Sequence, residues 1–301
     1  MAEEPIMEDV LSGSRAEIPM DEMDEDPVDP SMTISEEERR WALEIKRAVE
    51  DNEELTNLSD MTYAHHAIVA NGNVDEALCR IERQQVFRDH YKVDHSVEQG
   101  VELLQELIRQ QPGFLLNIDI ELIRQEAINA VDCGCFNPNV ALDTSSSAGF
   151  GVHDNWRIFC CGYYYIKFTS QPTLSVIRNG TLELGDFGGY GWSNFSTEVN
   201  SRLMEEVVAW YPMKWNGLLL YNTGSVANAI IALAKPLMGE TMRNTLQLGC
   251  QVVEADGSCN PNRRLREFYM QPNAEEAERN MLERAKLLLT TRQNNEETFR
   301  L

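Results

Sequence analysis

The chain has 301 residues, with 26 Lys and Arg against 49 Asp and Glu, which gives a formal net charge of -23 at pH 7. A chain this acidic lacks the basic surface that nucleic-acid phosphates require, so nucleic acid is excluded as a partner. It also lacks the clustered Lys and Arg of proteins that stay anchored on anionic lipid. The length allows a sizeable core in one main domain with appendages.

Targeting signals and cysteine usage favour the cytoplasm. The N-terminus has neither the charged and apolar regions of a secretory signal nor the Arg-rich character of a transit peptide. No apolar stretch is long enough to span a bilayer. The seven cysteines do not form a pattern typical of a disulfide framework in a chain of this size. We therefore expect a soluble cytoplasmic protein with reduced thiols, whose contact with membranes is peripheral and transient.

The N-terminal third divides into a tail and a helical module. Residues 1–34 are acidic and contain prolines, so they cannot bury enough apolar area to offset the entropy of ordering. We predict a disordered acidic tail that could recruit a basic protein partner. Ser35 and Glu38 fit a capping box, and Asn73 caps a later amphipathic helix. The pattern predicts a helical module over 35–112 that packs against the following domain.

From residue 113 the pattern becomes mixed α/β and continues to residue 272. Residues 115–120 and 127–131 are possible strands, and residues 181–184 form a short strand that enters a glycine-rich loop. The stretch 156–168 fits either a helix or a strand, and its aromatic content favours a strand. After Asn273 an amphipathic helix over 273–301 is expected to brace the domain.

The segment 217–249 is the most informative part of the chain. Residues 218–221 are apolar without alternation, so both faces of this strand need cover, as in a parallel sheet. A helix follows from Ser225, apolar around most of its girth and without charge until Lys235. It is too short to cross a bilayer. It is therefore either an ordinary core helix or the movable wall of a lipid cavity.

This segment resembles the signature region of the CRAL-TRIO family of lipid-binding domains. In that family a strand leads through an Asn-containing turn into a helix that ends in Lys-Pro, and a glycine-terminated strand follows. The matching elements here are residues 218–221, Asn222, 225–234, Lys235 with Pro236, and 245–249. The loop 186–195, the aromatic-Pro stop at 210–212 and a helical module before the sheet also occur in the family's order, so the resemblance covers roughly 73–270. For the stretch 156–168, the family's order favours a helix.

The resemblance implies a CRAL-TRIO-like mixed, largely parallel sheet flanked by helices and preceded by a small helical module. It implies a non-enzymatic protein without a cofactor, which binds, and transfers or senses, a small lipophilic ligand such as a phospholipid or an isoprenoid. The helix 225–238 would gate an apolar pocket, with Gly224 and Gly239 as hinges. The expected ligand-binding residues are Trp192, Phe195, Leu218, Leu220, Ile230, Ile231, Leu233, Lys235 and Leu237.

Alternatives remain for several of these residues. Trp192 and Phe195 could fill the core instead. Lys235 could contact a headgroup or close the gate, or it could extend to solvent at a helix C-terminus. In relatives that bind phosphatidylinositol the lysine pairs with an acid on the preceding helix, but the corresponding place here falls near Arg202. The alternative function is an interaction scaffold with a filled pocket, which recruits partners through the acidic tail.

Motifs for enzymatic or metal chemistry are weak. The triplet Asp186-Phe187-Gly188 matches the metal-binding triplet of protein kinases, but the other kinase motifs are missing. We therefore expect the glycines of this loop to allow a tight turn from strand to helix. Cys133 and Cys135 have no partner pair at zinc-ligand spacing. The histidines are not spaced as metal ligands and are expected at the surface. No catalytic or metal-binding residue is predicted.

Overall fold

A computed structural model describes residues 30–50, 55, 58–121, 123–144, 154–235, 240–253, 259–260, 263–270 and 273–301. The fold is mixed α/β, as predicted, with a five-stranded, mostly parallel sheet, flanking helices and an N-terminal helical part. None of the helices in these ranges combines the length and apolar character needed to cross a bilayer. Most of the predicted acidic tail lies outside the described residues.

The N-terminal part begins with a 3-10 turn, Pro30–Met32, and continues with four helices: α1 (Glu36–Glu50), α2 (Asp60–Val69), α3 (Val74–Tyr91) and α4 (Val97–Gln110). The predicted capping box is confirmed, because the Glu38 amide donates to Ser35 Oγ at 3.2 Å and the Ser35 amide donates to Glu38 Oε2 at 2.9 Å. The Asn73 side chain accepts from the Glu76 amide, as predicted for the cap of α3.

The main sheet follows chain order: β1 (Leu115–Glu121), β2 (Glu126–Asp132), β3 (Thr181–Asp186), β4 (Trp215–Tyr221) and β5 (Leu246–Cys250). β1 and β2 are antiparallel, and every later pair is parallel. The strands predicted at 115–120, 127–131, 181–184 and 218–221 are confirmed, and the one predicted at 245–249 lies one residue later. β6 (Val252–Val253) and β7 (Cys259–Asn260) form a separate ribbon.

The remaining helices are α5 (Pro138–Ala141), α6 (Asp154–Thr169), α7 (Leu174–Asn179), α8 (Thr197–Leu203), α9 (Ser225–Ala234), α10 (Glu240–Thr245), α11 (Leu265–Tyr269) and α12 (Ala274–Thr298). Short 3-10 turns occupy Cys133–Cys135 and Trp192–Asn194, and α8 continues into a π-helical turn, Met204–Val208. The ambiguous stretch 156–168 is helical within α6. Aromatic residues can occupy most sides of α6 because α4, α12 and the sheet pack around this helix.

The two faces of the sheet carry different layers. Because β2 to β5 are parallel and follow chain order, their crossover connections lie on one face. We call this the crossover face; it carries α6 and α9 and includes Asn129, Val131, Glu183, Gly185, Leu218 and Leu220. The opposite face is covered by α11 and the start of α12. The side chains of β2, β3 and β4 alternate between these two layers.

Buried polar groups fasten α12 and α2 to the sheet domain. Arg292 of α12 is 2% exposed, and its guanidinium donates to the Gln171 carbonyl at 2.5 Å and to His65 Nδ1 at 3.4 Å. Since His65 Nδ1 accepts this bond, His65 Nε2 carries the proton that is donated to the Pro212 carbonyl at 2.7 Å. These bonds connect α12 to α2 and to the segment after α6.

Two of the histidines predicted at the surface are buried. His65 and His66 are 2% and 0% exposed, because the stripe of α2 that contains them faces α12 and α3. Burial lowers the pKa of His66 to about 4, against the opposing effect of its bond to Gln84. Burial also lowers the pKa of His65 well below its usual range, and the nearby Arg292 charge adds to this effect.

We therefore expect the free energy of unfolding to fall as the pH is lowered from about 6.5 toward 4. In that range the unfolded chain binds protons at histidines that stay neutral when they are buried in the folded chain. At pH 5 the contribution of His66 to this loss is roughly 2 kcal/mol relative to pH 7.5. The free energy of unfolding in urea, measured at both pH values, should show a smaller loss for His66→Gln than for the wild type. His90→Gln, at an exposed position of α3, is the control; equal losses in all three proteins would contradict the assignment.

Candidate functional site

The opposite face of the sheet is closely packed. Its buried apolar side chains form one cluster with Leu265 and Met270, and the partly buried Cys250, Tyr269 and Ala277 pack against this cluster. The strand residues of this cluster are Leu116, Ile128, Ala130, Leu182, Leu184, Leu219 and Tyr221. This face is filled in the way expected of an ordinary protein core.

The crossover face is packed differently. Its described apolar side chains belong to two separate clusters, one centred on α6 and the other on α9. Several large apolar side chains that pack against these two clusters are only partly buried, although they lie between the sheet and the helices. They include Val131, Tyr163 and Trp215 on the α6 side and Phe187, Tyr190 and Leu218 on the α9 side.

A glycine lies at the boundary between the two clusters. Gly185 of β3 pairs with Val131 on one side and with Leu220 on the other, so the sheet has no side chain at this point of the crossover face. A Cβ atom at Gly185 would lie 3.0 Å from Leu220 Cδ2 and 3.2 Å from Phe187 Cε2. The side chains of Leu220 and Phe187 therefore lie directly over Gly185, and we use the name hollow for the region of the crossover face between the α6 and α9 clusters.

Two side chains beside the hollow are recessed rather than exposed on an outer surface. Tyr163 and Cys133 both keep partial solvent accessibility. Burial nevertheless raises the pKa of the Tyr163 phenol, and burial together with the nearby Asp132 carboxylate raises the pKa of the Cys133 thiol.

Polar groups lie on the same face, one strand away from the apolar wall. Lys167 of α6 forms an ion pair with Glu183, which pairs in register with Leu218. The Asn129 amide donates to Glu183 Oε1 at 3.2 Å and to Ser170 Oγ at 3.3 Å. Burial lowers the pKa of the Lys167 ammonium well below its usual range, while the adjacent carboxylate favours the charged form.

Helix α9 lies on the other side of the hollow, and its described side chains are buried on one face only. Ala227 and Ile231 pack against Leu220, but Leu233 is 68% exposed. Gly224, the N-cap residue, provides no side-chain hydrogen bond. A Cβ atom built at Gly224 would have no neighbouring atom within 4 Å. α9 thus begins without the side-chain cap that fastens α2, α3, α4, α7 and α8.

Of the residues predicted to bind ligand, Leu218, Leu220 and Ile231 meet at the hollow, and Ile230 is buried on α9. Trp192 and Leu233 are 61% and 68% exposed, so they do not line the hollow as predicted. Phe195 is half-buried and packs edge-on against Trp192, and Lys235 is exposed. Leu237 and Gly239 lie outside the described residues.

The sequence did not identify the other residues of the hollow. Tyr163, Gly185 and Trp215 come from three separate elements, and only the folded sheet brings them together. A signal existed for Lys167 and Glu183: a lysine interrupts an aromatic run, and a glutamate alternates with two leucines in a strand. Each marks a charge on a face that is otherwise apolar.

The glycine-rich loop after β3 has a structural role. Asp186 is fully buried and accepts hydrogen bonds from Gly188 N, Asn222 Nδ2, Leu265 N and Arg264 Nε, at 2.8 to 3.3 Å. A Cβ at Gly188 would lie 2.6 Å from Arg264 Nε. The kinase-like triplet is thus a corner fastened by Asp186, as the glycine pattern predicted. Within the described ranges, no group of three or more His, Cys, Asp and Glu side chains could hold a metal ion.

A second concave feature lies outside the sheet. A groove of about 740 Å³ runs between α3 and the α8 segment, and Glu206 of the π-helical turn lies at its base. Burial on its own would raise the pKa of Glu206, but hydrogen bonds from Tyr91, Trp156 and Arg202 outweigh that effect, so the pKa lies below its usual range. Since the Glu206 carboxylate is occupied by these donors, it is better suited to fixing the turn than to binding a ligand.

The hollow predicts a difference between two neighbouring leucines of β4. Leu219→Ala removes a side chain packed on the filled face, which should cost roughly 3 kcal/mol of unfolding free energy. Leu218→Ala removes one that is only half-buried, and should cost about 1 kcal/mol or less. Urea unfolding of both variants measures the two losses. Equal losses would mean that the crossover face is as solidly packed as the opposite face.

No family model matches the chain, and no curated protein is significantly similar to it. The assignment of a function therefore depends on the geometry of the chain itself.

Proposed function

We propose that the protein binds one small lipophilic molecule in the hollow between the sheet, α6 and α9, and carries or senses it without catalysing a reaction. One observation carries this proposal: the apolar side chains of the crossover face fall into two separate clusters, with Tyr163, Trp215 and Leu218 only partly buried, whereas those of the other face form a single cluster. Leaving such side chains wetted is unfavourable unless another apolar group covers them.

The energetics favour a ligand with a long apolar part. Each methylene group that leaves water for the hollow contributes about 0.8 kcal/mol, so an acyl or isoprenoid chain of ordinary length can offset the free energy of leaving a bilayer. The wall supplied by Leu218, Leu220 and Ile231 is apolar, and Tyr163 and Trp215 add flat aromatic surface on the other side.

Helix α9 provides a route for exchange. Its uncapped start at Gly224 can pivot at low cost, and an outward swing would open the hollow. The exposed Leu233 of α9 and Leu248 of β5, 68% and 47% exposed, would then touch the apolar region of a membrane surface. Such contact is transient because the net charge of -23 opposes lasting attachment to anionic lipid.

The role as an interaction scaffold stays a prediction from sequence. It depends on the acidic segment 1–34, most of which lies outside the described residues. The resemblance to CRAL-TRIO domains likewise supports the carrier proposal only as a resemblance of sequence pattern. The hollow is the independent structural support.

The proposal is tested by purifying the full chain without detergent and incubating it with phosphatidylcholine vesicles that carry a pyrene-labelled phospholipid, a pyrene-labelled fatty acid or an isoprenoid alcohol. After flotation of the vesicles, mass spectrometry of the protein fraction should detect a lipophile in stoichiometric amount, either copurified or newly acquired. Repeated absence of any lipophile, before and after incubation, would overturn the proposal.

Two tryptophan variants give the matched comparison. Leu218→Trp places an indole in the hollow and should reduce uptake to a small fraction of the wild-type amount, while Leu287→Trp, at a half-exposed site on α12, should leave uptake unchanged. Circular dichroism confirms that both variants fold. Undiminished uptake by a folded Leu218→Trp protein would place the binding site elsewhere.

A further inference from the structure

The outer face of helix α3 presents one apolar side chain between charged ones. Val86 is 69% exposed. Glu82 and Arg83 precede it on the helix, Asp89 and His90 follow it, and all four are exposed. Residues three and four positions apart share one face of a helix, so these five side chains form a single surface, which we call the α3 face. A lone exposed valine is common, and this one gains significance from the groups around it.

The charges of the α3 face have no complement on their own helix. The residues three and four positions from Arg83 include no acid, and those at the same distances from Glu82 include no base. The ion pair that α3 does form in the described part of the chain joins Arg80 to Glu76, nearer the start of the helix. The α3 face therefore offers charges of both signs to another molecule.

The groups on either side of Val86 are matched in position and complementary in chemistry. Arg83 lies three positions before Val86, and Asp89 lies three positions after it. Glu82 lies four positions before Val86, and His90, whose imidazole can donate to a carboxylate, lies four positions after it. Two copies of α3 that cross antiparallel at Val86 would thus place each Arg83 opposite the partner's Asp89, and each Glu82 opposite the partner's His90. Every such contact occurs twice, as a two-fold axis requires.

The same pattern disfavours the other orientation. Parallel α3 helices in register would place Arg83 beside the partner's Arg83 and Asp89 beside the partner's Asp89. Like charges in such positions are destabilising, and charged residues that flank an apolar seam select the direction of helix pairing in this way. Asp89 accepts one hydrogen bond from Gln85, at 3.0 Å to Oδ1, which leaves its second oxygen for a partner.

A concave surface adjoins the α3 face. Val86 borders the groove of about 740 Å³ between α3 and the α8 segment. The groove is also lined by Phe87, Tyr91 and Trp210, which are 4%, 8% and 2% exposed. Glu205 is exposed on the far side of the groove and forms no ion pair within the described ranges. Side chains of a second helix therefore have room beside Val86, with aromatic surface beneath them and a further carboxylate for a basic group.

We infer that the α3 face is the interface of a symmetric homodimer, in which two α3 helices pack antiparallel about Val86. The partner is a second copy of this chain, because one face supplies both members of each pair of opposite groups. The net charge of -23 on each copy opposes association, so the copies meet where their charges are paired locally. One helix and one groove make a small interface, which is typical of weak, reversible association. The inference does not depend on the proposed binding of a lipophile.

Sedimentation velocity of the full chain at physiological ionic strength tests the inference first. The mean mass should rise from that of one copy toward that of two as the concentration increases to roughly 200 µM, a range that covers weak protein interfaces. A chain that stays monomeric throughout this range overturns the inference. Assemblies that continue to grow beyond two copies also overturn it, because a two-fold contact is closed.

Exchanging two charges tests the orientation of the helices. Arg83→Asp places a carboxylate opposite the partner's Asp89, and Asp89→Arg places a guanidinium opposite the partner's Arg83. Each single variant should raise the dissociation constant of the dimer by roughly tenfold or more, because two attractive pairs become repulsive. The double variant should regain most of the wild-type affinity, since both pairs form again with their signs exchanged.

The controls separate local pairing from net charge. Arg279→Asp, at an exposed position of α12, changes the net charge as Arg83→Asp does and should leave the dimer nearly as strong as in the wild type. Asp89→Arg makes the net charge less negative and should nevertheless weaken the dimer. Circular dichroism confirms that each variant folds. Unchanged dimers in both single variants would place the interface elsewhere, and a double variant no stronger than either single one would contradict the antiparallel arrangement.

Discussion

Strand β3 constrains the rest of the structure, because it is covered on both faces and its residues alternate between two different surroundings. Leu182 and Leu184 point into a filled core, whereas Glu183 and Gly185 point to the crossover face. Glu183 carries a charge that needs a partner from α6, and Gly185, which has no side chain, lies directly beneath Leu220 and Phe187. Two alternate positions of one strand therefore set both the ion pair with α6 and the close packing of Leu220 over the sheet.

The framework around β3 is rigid where the hollow needs support and weakly fastened where exchange would occur. Arg292 connects α12 to α2 and to the segment after α6, and Asp186 fixes the corner after β3 through four donors. α9, by contrast, begins at a glycine without a side-chain cap. This contrast allows one wall to move while the sheet and α6 keep their geometry.

Local signals in the sequence predicted the elements well. The capping box at Ser35 and the apolar run 218–221 each depend on neighbouring residues, and both are confirmed. The surroundings of single side chains were harder to predict, as the buried His65 and the exposed Leu233 show. Periodicity indicates which residues share a face, but it does not indicate which element covers that face or whether the cover is complete.

The hollow itself could not be predicted residue by residue for the same reason. Lys167 and Glu183 are close in the chain, but their pairing becomes evident only when α6 lies on β3, and Asn129 joins them from β2. The sequence pattern predicts that Gly185 belongs to a turn. In the structure it is a strand residue that pairs in register with Val131 and Leu220. Each of these facts depends on the register of the sheet, which no local pattern specifies.

The central claim is that the space between α6 and α9 belongs to a ligand. A crystal structure of the full chain, purified from cells without detergent, tests it most directly. The account predicts elongated density for a lipophile along Leu218 and Leu220, between α6 and α9. Close-packed protein side chains throughout that space, with Val131, Tyr163 and Leu218 fully buried against one another, would contradict it.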